Sequence, residues 1–142
     1  MGEPRSLPPT STQTGVVQAR TLGPAERIRR RPEFELIYKH GLKAGGRFMT
    51  IFLLRNGRPI SRLGVAATRK LGGAVVRNRA KRLVRDIYRR HKPGPGLDLV
   101  VVPRREFLNV ELASLEADYQ SIVSRRAGRA PGPPPQNRPA SR

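Results

Sequence analysis

Cysteine and tryptophan are absent from the 142 residues, the acids number only ten, and there are two histidines. Without cysteine there is no disulfide and no thiolate metal site, so the fold must stand on its apolar core. The acids are spread thinly, with no closely spaced Asp/Glu set of the kind that holds a catalytic metal. His40 and His91 each fall at an expected helix end among bases, without the neighbouring acid that tunes and orients a general base. The phosphate-loop patterns GxxxxGK[ST] and GxGxxG are missing. No apolar run approaches the roughly 18 residues of a membrane span. The amino end, MGEPRSLPPTSTQ, lacks the charged-then-apolar pattern of an export signal. These absences describe a cytoplasmic chain, with no membrane partner, poorly equipped to be a catalyst in its own right.

Positive charge is what the chain has in excess. Twenty-nine Lys and Arg give a net charge of +19, and self-repulsion of that size disfavours a compact state unless a polyanion is near. Arg outnumbers Lys 24 to 5. A guanidinium binds phosphate through two parallel bonds and stacks on bases, which suits nucleic acid. A genome rich in G and C gives the same Arg preference without a functional cause, but not the excess of base over acid. The charge is also localised. Residues 1–26 hold two bases and two acids among Pro, Ser, Thr and Gly, and read as a disordered extension. Residues 27–105 carry 22 bases against four acids, and in residues 106–126 the sign reverses, two against four. Residues 127–142 form a Pro- and Arg-rich tail, expected to be extended. One folded domain is therefore expected over 27–126, with the charge on its shaped part.

Within that domain a helix is expected from Pro32 to a stop at Gly41, with Glu33 and Glu35 near its amino end. Strands are expected at Arg47–Arg55 and Arg62–Thr68, separated by an Asn-Gly-Arg-Pro turn, and at Asp98–Pro103. A last helix should begin near Asn109 and bury Leu112, Leu115, Tyr119, Ile122 and Val123. The order predicts an α+β fold, a small two-layer α/β sandwich in which helices cover a mostly antiparallel sheet. Its strand–helix–strand unit over 62–103 would by default cross right-handedly.

The stretch Gly72–His91, GGAVVRNRAKRLVRDIYRRH, organises the rest. It has seven bases and one acid, Asp86. Wound at about 100° per residue, Val76, Ala80, Leu83, Val84, Ile87 and Tyr88 form a stripe that can bury. Asn78, Arg82, Arg85 and Arg89 lead the opposite side, flanked by Arg77, Arg79 and Lys81. A merely solvated face normally mixes signs to gain i, i+4 pairs, and this one does not. Such a helix suits RNA or a DNA major groove. Phe34 and Tyr38, four apart on the first helix, fit either a core or a platform for stacking bases. Phe48 and Phe52 should share a face of their strand.

The run Arg69-Lys70-Leu71-Gly72-Gly73-Ala74-Val75-Val76-Arg77-Asn78-Arg79-Ala80-Lys81-Arg82-Leu83-Val84-Arg85 resembles the signature of the bacterial ribonuclease P protein family: paired bases, a glycine-bearing turn, then RNR-x-KR-x-x-R. Similarity extends from residue 27 to 126 through Phe34 with KHG, the Phe48 strand, Leu63-Gly64-Val65 and DLVVVP. The resemblance implies a ribosomal S5 domain 2-like sandwich with an unusual left-handed βαβ crossover. It implies a protein subunit that assists a catalytic RNA in cutting precursor tRNA at its 5′ end, one protein per RNA, with Mg²⁺ held mainly by RNA and substrate and no catalytic residue in the protein. On that pattern Arg69, Lys70, Arg77, Asn78, Arg79, Lys81, Arg82, Arg85 and Arg89 would contact the catalytic RNA. Arg30, Arg31, Phe34, Tyr38 and Phe48 would hold the 5′ leader of the precursor. A structural ribosomal protein and a protein-only nuclease are the competing expectations.

Overall fold

The structure, a computed structural model, describes residues 24–132. Of the extension expected over 1–26, residues 1–23 lie outside the described residues, as do residues 133–142, whereas Pro24–Glu26 form a 3-10 turn and Glu26 pairs with Lys92 at 2.7 Å, so order begins earlier than expected. Helix α1 spans Arg31–His40, strands β1 Leu42–Gly45, β2 Met49–Arg55 and β3 Arg62–Val65 follow, then helix α2 Ala74–Arg90, strand β4 Leu97–Pro103 and helix α3 Leu112–Arg126. The sheet runs β1-β2-β4-β3. β1 and β4 are antiparallel to β2, while β3 is parallel to β4, so α2 is the crossover between neighbouring parallel strands.

The expected two layers become three. Met49, Ile51 and Leu53 of β2, with Leu99 and Val101 of β4, face Ala80, Val84, Ile87 and Tyr88 of α2 and Leu115, Tyr119 and Ile122 of α3. The alternate residues Leu54 and Val100, with Phe52 and Val102 half-buried beside them, face Ile28 and Ile37 on the other side. Strands apolar on both faces need cover on both, and α1 supplies the second layer. That layer is small and leaves part of its sheet face open.

α1 starts as its sequence dictates, with Pro32 in its first turn and Lys39 and His40 in its last. α2 buries Ala80, Val84, Ile87 and Tyr88 of the expected stripe, while Val76 and Leu83 are half-buried. It is entered through a 3-10 turn, Arg69–Leu71, and Gly72, whose φ of 142° is open to glycine and costly for other residues. α3 begins three residues later than expected. Phe107 is drawn fully into the core, so Arg105–Asn109 closes a separate 3-10 turn and Leu112 is left exposed. β1 was not expected, since LKAG is only four residues long and has no β-branched residue, and it is a strand because β2 pairs with it. Order also continues past the expected boundary at 126: Ala127–Arg129 form a turn, Ala130 is buried, and the Pro131 carbonyl accepts the Arg55 N–H at 2.8 Å.

Candidate nucleic-acid interface

A cleft of about 550 Å³ opens between α1 and the sheet, lined by Phe34 and Tyr38, the Val65–Thr68 segment, Arg29, Arg31 and Glu35, and Lys81 of α2. Phe34 and Tyr38 are tilted at 45° with ring centroids 6.3 Å apart. Tyr38 meets Phe52 of β2 edge-on at 4.9 Å. These spacings are those of favourable aromatic pairs. Phe34 is half-buried against the sheet, whereas Tyr38 is 40% exposed, so the platform is part core and part open surface. Burial pushes the Tyr38 phenol above its ordinary value, keeping it a neutral donor.

A second pocket of about 240 Å³ shares Arg29, Phe34, Val65 and Lys81 with the first and adds Arg27 and Arg85. The aromatic cleft therefore runs without a break into a cluster of cations. Burial, then repulsion from Arg27, Arg29 and Arg89, lowers the Arg85 guanidinium from its ordinary value. The Arg27 Nε is buried with no hydrogen-bond partner among the described residues. A concave group of cations with an unsatisfied donor is built for an anion.

On the outer side of α2, Asn78, Arg79 and Arg82 are exposed and Arg77 is half-exposed, with Arg69 and Lys70 exposed on the turn before it. Lys81 and Arg85 point the other way, into the cleft. The expected catalytic-RNA set is thus divided between two surfaces of one helix. Arg89 is hydrogen-bonded to Asp86 on its own helix, so its charge is partly answered. Of the expected leader set, Arg31 lines the cleft while paired with Glu35 at 3.4 Å, and Arg30 is exposed at the amino cap of α1.

Phe48 is not brought to Phe34 and Tyr38. It precedes β2 in a turn closed by the Gly46 N–H on the Met49 carbonyl, where strand alternation does not apply. Its ring packs against the core shared by α2 and α3, beneath the Arg47 guanidinium, 5.6 Å from centroid. Phe48 and Phe52 therefore face opposite sides, and Phe52 packs under Tyr38 on the face that α1 covers without itself lining the cleft. Arg27, Arg29 and Phe52 were absent from the expected set. The signal for the two arginines was Arg27-Ile28-Arg29 read as an extended segment, with Ile28 inward and the bases flanking it.

His91 gains by folding the acid it lacks in sequence. Its Nε2 lies 3.3 Å from Glu116 Oε2 and its Nδ1 2.9 Å from the Gln120 amide nitrogen, fastening the end of α2 to α3. His40 is exposed. Among the described residues, no group of three His, Cys, Asp or Glu side chains comes together to hold a metal. No helix there is long and apolar enough to cross a membrane.

Residues 22–127 match the family model described as Ribonuclease P. The chain is 37% identical over 109 residues to the ribonuclease P protein component of Thermotoga maritima, covering 72% of this chain and 93% of that one. It is 34% identical over 101 residues to that of Clostridium botulinum, covering 69% and 85%. Among solved structures, the Thermotoga maritima RNase P protein superposes with a TM-score of 0.65 at 37% identity, over 70% of this chain and 96% of that chain. The Staphylococcus aureus RNase P protein gives 0.63 at 27% identity, over 70% and 93%. A strongly basic helix, an aromatic cleft and these likenesses converge: the chain belongs to the ribonuclease P protein family, a protein subunit of the tRNA-processing endoribonuclease ribonuclease P.

Proposed function

We propose that this subunit binds the catalytic RNA of the ribonucleoprotein through the outer side of α2 and the turn before it, using Arg69, Lys70, Arg77, Asn78, Arg79 and Arg82. The single-stranded 5′ leader of precursor tRNA lies in the cleft, with bases against Phe34 and Tyr38 and phosphates against Arg29, Lys81 and Arg85. One observation carries this reading. The aromatic cleft opens directly onto cations of the same helix whose far side presents Arg79 and Arg82 to solvent. A rigid helix holding both RNAs fixes the leader relative to the catalytic RNA, which is the positioning an endonuclease needs. Stacking and backbone charge read little base identity, so leader binding is sequence-tolerant.

The chain's contribution is charge and orientation. An anion entering beside Arg85 relieves the repulsion among its guanidinium neighbours and supplies the Arg27 Nε with an acceptor. Mg²⁺ is assigned to the RNA subunit and substrate, and no step assigned to the protein runs through it. One protein acts per RNA, in the cytoplasm, and the β3–α2–β4 unit crosses left-handedly.

The test is reconstitution with ribonuclease P RNA and precursor tRNA at low Mg²⁺. Restored cleavage at the mature 5′ end supports the proposal. Cleavage by the protein without the RNA, or sedimentation with ribosomal subunits and no stimulation, overturns it.

A further inference from the structure

Three successive residues of β3 hold α1 to the sheet. The Leu63 carbonyl accepts the Ile28 N–H at 2.9 Å, on the segment leading into α1. Arg62 Nη1 donates to Glu33 Oε2 at 3.0 Å. The Phe34 ring lies over Gly64, where a β-carbon would stand 2.9 Å from two ring carbons. Arg62 can serve Glu33 because its other donors are committed: Nε and Nη2 donate to the two Asp98 carboxylate oxygens at 2.9 and 2.7 Å. Asp98 is steadied in turn by the Asn56 amide at 2.7 Å.

Arg62 and Asp98 are the charged residues buried among those described. A buried ion pair of this kind adds little to stability over an apolar pair of the same volume, so it calls for another explanation. Here the third bond leaves the core and ends on Glu33, one residue before the ring that lines the cleft. Among the described residues, the Glu33 carboxylate takes its hydrogen bond from Arg62.

We propose that Arg62, fixed by Asp98 and acting through Glu33, is a positioning residue that sets the register of α1 on β3, and so the fit of the cleft to the single-stranded leader. The proposal rests on the reading that the cleft holds the leader. It makes a prediction opposite in sign to simple electrostatics. Removing an acid beside a polyanion should strengthen binding, whereas loosening α1 should weaken it for leader-bearing substrate alone.

The experiment compares Glu33→Ala, Glu33→Gln, Glu35→Ala and Phe34→Ala in the reconstituted holoenzyme, measuring affinity for precursor and for mature tRNA. Glu35→Ala removes the same charge from the same helix without touching Arg62. Its precursor affinity should rise. Glu33→Ala should lower the precursor-to-mature preference by about fivefold, the scale of one charge-assisted hydrogen bond partly replaced by water. Glu33→Gln should lose less, since its amide oxygen still accepts from Arg62. In the free protein, the Phe34 and Tyr38 ring resonances should move in Glu33→Ala by clearly more than in Glu35→Ala, whose carboxylate lines the same cleft without bonding to the sheet. If Phe34→Ala lowers the preference while Glu33→Ala raises or preserves it, the positioning role is wrong and the leader reading stands. If Phe34→Ala also leaves it unchanged, both fall. Ring resonances unmoved in Glu33→Ala overturn the positioning role directly.

Discussion

Helices α2 and α3 do the same structural work and carry opposite charge arrangements. Both lay an apolar stripe on the same face of the sheet, Ala80, Val84, Ile87 and Tyr88 in one and Leu115, Tyr119 and Ile122 in the other. The carboxylates of α3 are used internally. Asp118 accepts the backbone N–H groups of Arg47 and Phe48 at 3.0 and 2.9 Å, and Glu116 meets Arg90 at 3.2 Å and His91 at 3.3 Å. On α2, Arg79 and Arg82 are exposed and Lys81 and Arg85 face a cleft. Charge spent inside a fold is architecture; charge a fold holds outward and unanswered is addressed to a partner.

The sharpest way to break that comparison is to reverse charge on each helix. Arg79→Glu with Arg82→Glu should weaken catalytic-RNA affinity on the order of 100-fold at physiological salt and flatten the salt dependence by about 0.7–0.9 per lost phosphate contact. The melting temperature should hold or rise, because self-repulsion falls. A binding titration across salt concentrations checks the first, and thermal melts the second. Equal losses from changing Arg125 and Arg126 on α3 would erase the distinction between the helices.

Asp118→Ala should do the reverse, costing about 2 kcal/mol of stability through two backbone donors left without their acceptor. Affinity for the catalytic RNA should stay unchanged below the melting point, and urea denaturation beside the titration checks both. The aromatic side permits a matched pair. Phe34→Ala should lower preference for leader-bearing precursor by about tenfold, the scale of one lost stacking contact. Phe48→Ala should lower the melting temperature and leave the preference alone. The smallest effect is alkaline. Burial holds the Tyr88 and Tyr119 phenols above their ordinary value, so the folded state keeps protons that the unfolded chain releases. Stability should therefore be full below about pH 10 and fall as the pH rises past it. Tyr119→Phe should blunt that fall in urea midpoints measured from pH 8 to 11.

Helix α2 was legible because its period and its charge agree along its length, and most of both survived folding: Ala80, Val84, Ile87 and Tyr88 buried and Asn78, Arg79 and Arg82 stayed outside, while Arg85 turned into the cleft. What lay beyond reading was pairing at a distance. Nothing near Arg62 in the chain announces Asp98 or Glu33, and nothing near His91 announces Glu116. The second helical layer was implicit in β4, whose unbroken LVVV cannot leave either face bare, but its cover had to be found. Phe48 failed for a local reason. Alternation was carried one residue past the strand's beginning into a turn, where the side chain swings to the other face.

β4 has one further consequence, for how the chain comes into being. It lies inside the sheet, paired with β2 on one side and β3 on the other, yet it is the last of the four described strands to be synthesised. Until Leu97–Pro103 leaves the ribosome, β2 and β3 have no common neighbour and α1 has only part of its floor. The basic helix is thus made before the sheet that orients it. The nascent chain passes through an interval in which its cations are present and the sheet that arranges them is incomplete.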